Sequence, residues 1–319
     1  MKILLSSRRH HYVTRFSIFL ITMILIAGMA SSCQPSPSET VEIQNWYDLD
    51  VVRNNLVGNY VLMENLDDTT DGYDDLVGDT VDGKGGQPIG TEGNAFKGTF
   101  DGNGHTISDL FIDRPDEDEV GLFGRVQEGL VKNVGLLSVD VTGKKYVGAL
   151  VGYSWKGTID SDIRPPGSRT YSRGSVTGEE NVGGLVGNNY DGIVNQCESS
   201  AEVFHASSTP DEDCWRAGGL VGLNSGTVLH CDYNGVVNGD HQVGGLVGLN
   251  EGTVENSSFA YSVVGVDQVG GLVGYNSGTV INSDSSGSVT GDQAVGCLVG
   301  LNTGTVTNCY GDCVLNGSL

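Results

Sequence analysis

The chain has 319 residues, of which 40 are Asp or Glu and 17 are Lys or Arg, so its formal charge at pH 7 is −23. A surface this acidic repels nucleic acids and anionic lipid headgroups, and nucleic acid is therefore excluded as a partner. The chain contains six histidines but no His-Glu-x-x-His sequence, which disfavours a zinc hydrolase.

Residues 1–32 have the pattern of a secretory signal peptide. Basic residues precede an apolar run over 16–27 that is too short for a convincing membrane-spanning helix. Small residues then lead to Cys33, which resembles the lipobox of bacterial lipoproteins, although Ala30 stands where that box usually carries Leu. The resemblance implies a lipid on Cys33 and an exported protein, anchored at the cell surface in the bacterial cell membrane or outer membrane. The alternatives are an ordinary signal peptide cleaved nearby and an uncleaved anchor.

The segment after Cys33 divides into a tether and an irregular N-terminal part. Residues 33–42 are rich in Pro and Ser and predict a lipidated tether. Residues 43–118 predict a cap and irregular coils. Within them, 45–53 has apolar residues at helical spacing after an Asn, which predicts a short helix that covers the open end of a stack of strands. Residues 67–93 are acidic and Gly-rich and predict a loop, while strands are expected at 60–63, 96–100 and 105–107.

A block reading V-G-G-L-V-G recurs in the rest of the chain and is clearest at 243–248 and 269–274. Counting the less regular copies, seven blocks end at Gly124, Gly152, Gly187, Gly222, Gly248, Gly274 and Gly300. The steps between these glycines are 28, 35, 35, 26, 26 and 26 residues. A period near 26 is typical of a solenoid in which each repeat forms one coil. We assign these repeats to residues 119–319.

Each repeat contains three strand candidates, which in one copy are 269–273, 278–281 and 288–290. Gly and Asn separate them, and no segment of the repeat has the length and period of a helix. Coils of short strands would stack in parallel about 4.8 Å apart. The alternation of residues does not decide whether Leu246 or Val247 faces the core.

Two columns of Asn support the stacking. One holds Asn189, Asn224, Asn250, Asn276 and Asn302, and the other holds Asn133, Asn256, Asn282 and Asn308 with Gln196 in one copy. Side-chain amides in register both donate and accept hydrogen bonds along such a column. We therefore expect amide ladders at both positions.

The blocks at 184–187 and 219–222 carry the Gly-Leu-x-Gly core of the GLUG-motif repeat family, which the chain resembles. Residues 88–90 and 100–107 also look like segments that precede such repeats in bacterial surface proteins. The family includes adhesin-like proteins and the non-catalytic part of immunoglobulin-A-specific metallopeptidases, whose catalytic domain has no counterpart here. The resemblance implies a surface β-helix without a defined activity. The expected fold is all-β: a right-handed parallel β-helix of about 9–10 coils with a short N-terminal capping helix.

Two repeats are nine residues longer than the regular copies, with insertions at 163–171 and near 206–213. Loops on a rigid solenoid commonly carry its function. A patch of arginines and aromatic side chains could hold an acidic glycan or a protein; solvated loops are the alternative. The residues singled out for ligand binding are Trp155, Arg164, Arg169, Tyr171, Arg173, His205, Trp215 and Arg216.

The segment 67–75 resembles the first half of a calcium-binding loop, with Asp67, Thr69, Asp71 and Asp75 as candidate ligands. It departs from that pattern because Gly78 stands where a bidentate carboxylate belongs, and a solvated acidic loop is the alternative. No other cofactor is expected.

Six cysteines besides Cys33 lie in a chain expected to be exported. Cys197 and Cys231 share one column on adjacent coils and are a candidate disulfide pair; a stack of small residues is the alternative. Cys214, Cys297 and Cys313 suggest no pairing.

These patterns favour a lipid-anchored surface module that binds a protein or glycan ligand without catalysis. The alternatives are a β-helical polysaccharide lyase or hydrolase and a scaffold subunit of a larger surface assembly. An enzyme of that type would place carboxylates and basic residues together in a groove across several coils. No acid–base pair recurs on one column of these repeats.

Overall fold

The structure is a computed structural model that describes residues 40–78, 83–162, 169–205 and 215–317. Cys33 and the segment 1–32, which is predicted to be a signal peptide, lie outside the described residues. Within the described ranges, none of the helices has the length and hydropathy needed to cross a membrane.

The described chain forms a parallel β-helix, as predicted. Its strands stack into four sheets, which we call face 1 to face 4 in the order in which a regular coil visits them. Face 1 contains β9 (Lys145–Gly148), β13 (Glu180–Gly183), β18 (Trp215–Gly218), β23 (His241–Gly244), β27 (Asp267–Gly270) and β31 (Gln293–Gly296). Face 2 contains β6 (Phe123–Gln127), β10 (Val151–Trp155), β14 (Val186–Tyr190), β19 (Val221–Asn224), β24 (Val247–Asn250), β28 (Val273–Asn276) and β32 (Val299–Asn302).

Face 3 runs the length of the described stack, and face 4 begins at Thr106–Ser108, in the coil that contains Thr99–Asp101 of face 3. Face 3 contains β1 (Thr40–Ile43), β2 (Asn59–Leu62), β3 (Thr99–Asp101), β7 (Leu130–Lys132), β11 (Thr158–Asp160), β15 (Ile193–Asn195), β20 (Thr227–Leu229), β25 (Thr253–Glu255), β29 (Thr279–Ile281) and β33 (Thr305–Thr307). Face 4 contains β4 (Thr106–Ser108), β5 (Phe111–Asp113), β8 (Gly135–Thr142), β12 (Tyr171–Gly178), β16 (Glu198–Ser199), β17 (Glu202–His205), β21 (Asp232–Tyr233), β22 (Val236–Asn238), β26 (Ser258–Val264), β30 (Asp284–Gly291) and β34 (Tyr310–Gly317). The ten stacked strands of face 3 agree with the expected number of coils.

A regular coil has four strands rather than the three predicted. The segment predicted as one strand, 269–273, is divided between β27 on face 1 and β28 on face 2. The chain turns at Gly271 and Leu272, so that Leu and Val of each block both point inward. Leu246 and Val247 are both fully buried, which answers the question that the alternation of residues left open.

The V-G-G-L-V-G block requires glycine because the backbones of faces 1 and 2 are in contact at this point. A Cβ on Gly274 would lie 2.5 Å from the carbonyl carbon of Gln242 and 2.6 Å from the amide nitrogen of Val243, in the preceding coil. A Cβ on Gly270 would lie 1.9 Å from the carbonyl oxygen of Val273. These are backbone atoms, which cannot rotate away as a side chain can, so the repeated glycines of the motif follow from close packing of the two sheets.

The first Asn column forms the expected ladder inside the coil. Each Nδ2 donates to the Oδ1 of the next coil, at 2.8 Å from Asn224 to Asn250 and 2.8 Å from Asn250 to Asn276. The same amide also donates to the backbone, as in the bond of 3.3 Å from Asn250 to the Gly252 carbonyl. Asn250 is fully buried, and the ladder satisfies its amide without water.

The ladder begins at Asn189, because the preceding coil carries Ser154 at the paired position. Ser154 Oγ and Asn189 Oδ1 are both buried and make no hydrogen bond within the described residues. We expect Ser154→Asn to raise stability by about 1 kcal/mol, because a new amide could donate to Asn189 Oδ1. A thermal melt of the variant checks this. Ser154→Ala is the control, because alanine cannot donate a hydrogen bond to Asn189 Oδ1. An unchanged or lower melting temperature for Ser154→Asn would show that the ladder cannot be extended.

The second Asn column forms only one amide–amide bond among the described residues, from Asn308 Nδ2 to Asn282 Oδ1 at 3.3 Å, so the predicted ladder is not continuous. Asn256 and Asn282 are exposed, and their backbone φ angles are 49° and 50°. The same left-handed conformation occurs at Gln196 (φ 55°), His230 (φ 53°) and Asn308 (φ 54°) in that column. Asn tolerates this conformation better than most residues, so backbone geometry accounts for the repeated Asn at this turn.

The N-terminal helix forms where it was predicted. α1 (Trp46–Val51) continues into a 3₁₀ turn (Val52–Asn54), and the Asn45 side chain caps it by accepting from the Asp48 amide at 2.9 Å. Trp46 and Leu49 are buried against the core. A second short helix, α2 (Tyr73–Leu76), lies inside the segment predicted as loop.

Cys197 and Cys231 occupy one buried column but are free thiols, so the predicted disulfide between them is wrong for this structure. Each Sγ–H is turned back to its own strand and donates to the carbonyl two residues earlier, at 3.2 Å to Asn195 and 3.2 Å to Leu229. Ser257 and Ser283 make the same bond in the following coils, at 2.8 and 2.7 Å. The column is therefore the alternative, a stack of small residues. Burial raises the pKa of Cys197 well above its usual value.

The disulfide joins Cys297 and Cys313 instead, with Cα atoms 5.4 Å apart in the last described coil. We expect peptide mapping of non-reduced protein to recover this pair as a bond and Cys197, Cys231 and Cys309 as free thiols. A loop of this length stabilises a fold by about 3 kcal/mol. Hydrogen exchange of 293–317 should therefore accelerate in Cys313→Ser, while exchange of the coils before it stays unchanged. Equal protection in both proteins would show that the bond contributes nothing to the last coil.

Candidate functional site

The two insertions leave the β-helix at different corners. The first connects face 3 to face 4, between β11 and β12, and the second connects face 4 to face 1, between β17 and β18. Residues 163–168 and 206–214, which include Arg164 and Cys214, lie outside the described residues. The remaining seven predicted ligand-binding residues therefore occupy three separate places instead of one patch.

The most developed of the three is the Trp215 corner, which we define as Glu180, His205, Trp215, Arg216 and His241. It lies where the second insertion rejoins face 1. The Trp215 indole stacks on the His241 imidazole of the next coil, with ring centroids 4.8 Å apart and planes inclined by 20°. Both side chains are half-buried, so the stacked rings present one partly exposed aromatic surface.

A chain of ion pairs borders this surface. Arg216 Nη1 lies 3.0 Å from Glu180 Oε1, and Lys145 Nζ lies 2.9 Å from Glu180 Oε2. Burial acts to raise the pKa of Glu180, but the hydrogen bond and charge of Lys145, followed by the charge of Arg216, outweigh it and leave that pKa below its usual value. Glu180 is consequently ionised at neutral pH and holds the Arg216 guanidinium in place.

His205 closes the corner from β17. Its Nε2–H donates to the Glu179 carbonyl at 2.5 Å, while Nδ1 is buried without a hydrogen-bond partner within the described residues. Burial lowers the pKa of His205 below its usual value, against the opposing effect of the Glu179 carbonyl. The imidazole is therefore neutral at pH 7 and serves as a packed element of the corner.

Arg169, Tyr171 and Arg173 lie at the start of face 4. Arg169 Nη1 lies 3.4 Å from Glu198 and 3.3 Å from Asp232, so it bridges carboxylates of two following coils. The Arg173 guanidinium lies 5.2 Å from the centre of the Tyr171 ring. Arg169 and Arg173 therefore have partners within the protein. This arrangement agrees with the alternative interpretation, in which the arginines of this loop balance neighbouring carboxylates and bind no ligand.

Trp155 is on face 2, away from both insertions in the order of the coil. It pairs with Gln127 and Tyr190 of the adjacent coils, and Lys156 Nζ lies 5.4 Å from its ring centre. Trp155 is thus half-buried on face 2 beside the exposed Tyr190, and it is not part of the Trp215 corner.

The structure does not form the candidate calcium loop. Asp67 Oδ1 accepts from the Thr69 amide at 2.9 Å and from the Thr69 hydroxyl at 2.7 Å, and these bonds lower the Asp67 pKa. Asp75 accepts instead from the Tyr47 hydroxyl, and Asp71 uses its backbone carbonyl to accept from the Trp46 amide at 3.1 Å. Across the described ranges, no three His, Cys, Asp or Glu side chains converge as metal ligands. The carboxylates fix a turn against α1.

Sequence reasoning missed Glu180 and His241, which complete the Trp215 corner. The signal was available, because both occupy the column of Trp215 in the adjacent coils. Alignment of the repeats by their final glycines places the three residues one above another.

Comparison with known proteins agrees with the repeat and with the fold. Residues 239–264 and 265–290 match the GLUG motif. The chain is 36% identical over 126 residues to halomucin of Haloquadratum walsbyi, a match that covers 37% of this chain and 1% of halomucin. It is 42% identical over 83 residues to a provisionally named Gly-rich membrane protein of Evansella cellulosilytica, over 25% of this chain and 10% of that protein. The chain thus spans only a small part of either relative.

A solved structure shows the same fold over most of the chain. It is a protein from Bacteroides ovatus provisionally named an immunoglobulin A1 protease, with a TM-score of 0.55 and 20% identity. The superposition covers 88% of this chain and 78% of that one. At this level of identity the likeness concerns the fold.

Proposed function

We propose that this chain is a non-catalytic binding module displayed at the bacterial cell surface, and that the Trp215 corner contacts its protein or glycan partner. The observation that carries the proposal is the half-buried Trp215–His241 stack at the foot of an insertion. Tryptophan and arginine are the residues that most often dominate binding energy at interfaces. Here Arg216 directly follows Trp215 in the chain, and Glu180 holds its guanidinium in place.

The repeats themselves supply two variants that should keep the fold. Gln293 and Ala294 of the last described coil occupy the positions of Trp215 and Arg216, and Ala294 has the same left-handed backbone, φ 48° against 69°. Trp215→Gln and Arg216→Ala therefore remove the binding surface while using residues that a coil accommodates.

Binding of purified protein to arrays of glycans and extracellular proteins tests the proposal. Wild type should bind at least one class of ligand, and each variant should bind it about 10-fold or more weakly. Tyr261→Ala, which removes an aromatic ring that is 61% exposed on face 4, is the matched control and should bind as wild type does. Full binding by both Trp215→Gln and Arg216→Ala would reject the corner as the site. Release of reducing sugar from any polysaccharide in a parallel screen would reject the non-catalytic assignment.

Similarity to halomucin and to a named membrane protein supports a location at the cell surface or membrane. The lipid anchor proposed at Cys33 adds a means of attachment, and display of many copies would strengthen weak binding through avidity. Wild-type protein should incorporate labelled fatty acid in cells and partition into detergent, whereas Cys33→Ala should do neither. Labelling of Cys33→Ala would place the anchor elsewhere.

A further inference from the structure

A groove of about 480 Å³ lies on the outer surface where faces 1 and 2 meet, near the N-terminal coils. Its floor is formed by Arg125 of β6, Tyr153 of β10 and Tyr146 of β9. The segments 87–92 and 117–119 form its walls. Its volume is in the usual range for small-ligand sites, about 300–1,000 Å³.

The floor of this tyrosine groove is held rigid before any ligand arrives. Tyr146 and Tyr153 meet edge to face, with centroids 5.4 Å apart and planes inclined by 86°. The Arg125 guanidinium lies 4.4 Å from the centre of the Tyr153 ring. Glu119 fixes that guanidinium through bonds of 2.9 and 3.0 Å to Arg125 Nε, which also neutralise its charge.

The coil does not require tyrosine at either position. The column of Tyr153 continues as Asn188, Leu223 and Leu249, each pairing with the next strand of face 2. The column of Tyr146 continues as Asn181, Arg216, Gln242 and Gln268, which share its left-handed backbone. The fold of the repeat therefore does not explain why this coil carries tyrosine at both positions.

The polar groups around the rings suit a ligand rich in hydroxyls. Neither the Tyr146 nor the Tyr153 hydroxyl makes a hydrogen bond within the described part of the chain, and both line the groove. Glu92 and Asp118 line its walls without a salt bridge to any described residue. Each carboxylate can accept two hydrogen bonds from adjacent hydroxyls, and each phenol can donate or accept.

Charge decides between the remaining ligand classes. The groove has four carboxylates and a single guanidinium, which Glu119 already neutralises, so it repels anionic ligands. A cation would seek the open face of an aromatic ring. Arg125 already covers one face of Tyr153, however, and two of the four carboxylates are neutralised, Glu117 by Lys84 and Arg114 and Glu119 by Arg125. The attraction for a cation is reduced accordingly, and an uncharged ligand is favoured.

We propose that the tyrosine groove binds an uncharged glycan chain, whose sugar rings pack on Tyr146 and Tyr153 while its hydroxyls donate to Glu92 and Asp118. The site is on different coils from Trp215 and uses none of the residues of the Trp215 corner. Variants of the Trp215 corner and variants of the tyrosine groove therefore test the two proposals separately.

The repeats again supply the test variants. Tyr153→Leu and Tyr146→Gln introduce the residues that later coils use at the same positions, Leu249 and Gln242. Tyr275→Leu is the matched control, because Tyr275 is in the column of Tyr153 but in a regular coil far along the stack. Thermal melts should first establish that all three variants fold as wild type does.

Binding of the full chain is then measured on an array of neutral oligosaccharides and quantified by calorimetry with the best of them. Wild type and Tyr275→Leu should bind equally, and Tyr153→Leu and Tyr146→Gln should each bind about 10-fold or more weakly. Trp215→Gln should not weaken this binding. The proposal is overturned if no neutral oligosaccharide binds, if the two groove variants bind as wild type does, or if oligolysine or spermine binds the groove in preference to neutral sugars.

Discussion

Gly274→Ala is expected to destabilise the β-helix by about 3 kcal/mol or more, because the new Cβ would overlap backbone atoms of the preceding coil. The overlapping atoms belong to Gln242 and Val243 of face 1, at 2.5 and 2.6 Å. Relief would require the two sheets to separate along the stack, since neither backbone can move alone. Chemical denaturation monitored by circular dichroism measures the loss.

Gly93→Ala is the control for this prediction. No heavy atom lies within 4 Å of the Cβ that Gly93 would gain, so this substitution should leave stability unchanged within about 0.5 kcal/mol. If Gly274→Ala were as stable as Gly93→Ala, the repeated glycines would need an explanation other than contact between faces 1 and 2.

Asn250→Asp should destabilise the protein by about 3–5 kcal/mol at neutral pH. The introduced carboxylate would be fully buried. One of its oxygens would replace Asn250 Nδ2, which now donates to Asn276 Oδ1 at 2.8 Å. Two acceptors would then face each other, and the carbonyl of Gly252 would lose its donor as well. A buried charge without a partner is among the most damaging changes a core can receive.

The loss in Asn250→Asp should depend on pH in a defined direction. Burial raises the pKa of a carboxyl group in the folded state above its unfolded value, so the unfolded state releases its proton first as pH rises. The destabilisation should therefore be small below about pH 4 and grow above it. Asn282→Asp, at an exposed turn where φ is 50°, is the control and should show little loss at any pH. Equal losses in the two variants would contradict the ladder as a source of stability.

Much of the fold could be predicted because the same pattern recurs in several repeats, so that a feature that is ambiguous in one copy is resolved by the others. The spacing of Gly248, Gly274 and Gly300 gave the coil, and the column containing Asn250 gave its register. The number of strands per coil could not be obtained in this way. Val269 and Val273 look like one strand, and only contact between the two sheets shows that the chain turns at Gly271.

Residues that recur with the same spacing can nevertheless have different structural roles. Asn250 and Asn256 recur with the same period, yet one is a buried ladder and the other an exposed left-handed turn. Cys197 and Cys231 do share a column, but the column does not specify side-chain rotation, and both thiols turn back to their own strands. A repeat pattern thus fixes which residues stack and leaves open what their side chains do.

The candidate site was less accessible to sequence reasoning. The two insertions lie in successive repeats, which suggests neighbours, although they leave from opposite ends of the face 4 strands. Tyr146 and Tyr153 were overlooked because they stand at variable positions of the repeat. A search for aromatic residues where other copies carry Asn, Gln or Leu would have found them.

We infer that each 26-residue repeat is one complete coil, and that the coil folds without the recognition surfaces that other coils carry. Deleting residues 265–290, the second matched motif, joins Val264 to Gly291 at equivalent points of successive coils. Circular dichroism melting of this deletion protein tests whether the coil is the folding unit. The deletion protein should keep the β-sheet spectrum of wild type and melt cooperatively, whereas deletion of 265–277 alone should abolish both. If removal of the whole repeat unfolds the protein as removal of its first half does, the coil is not the unit of this fold.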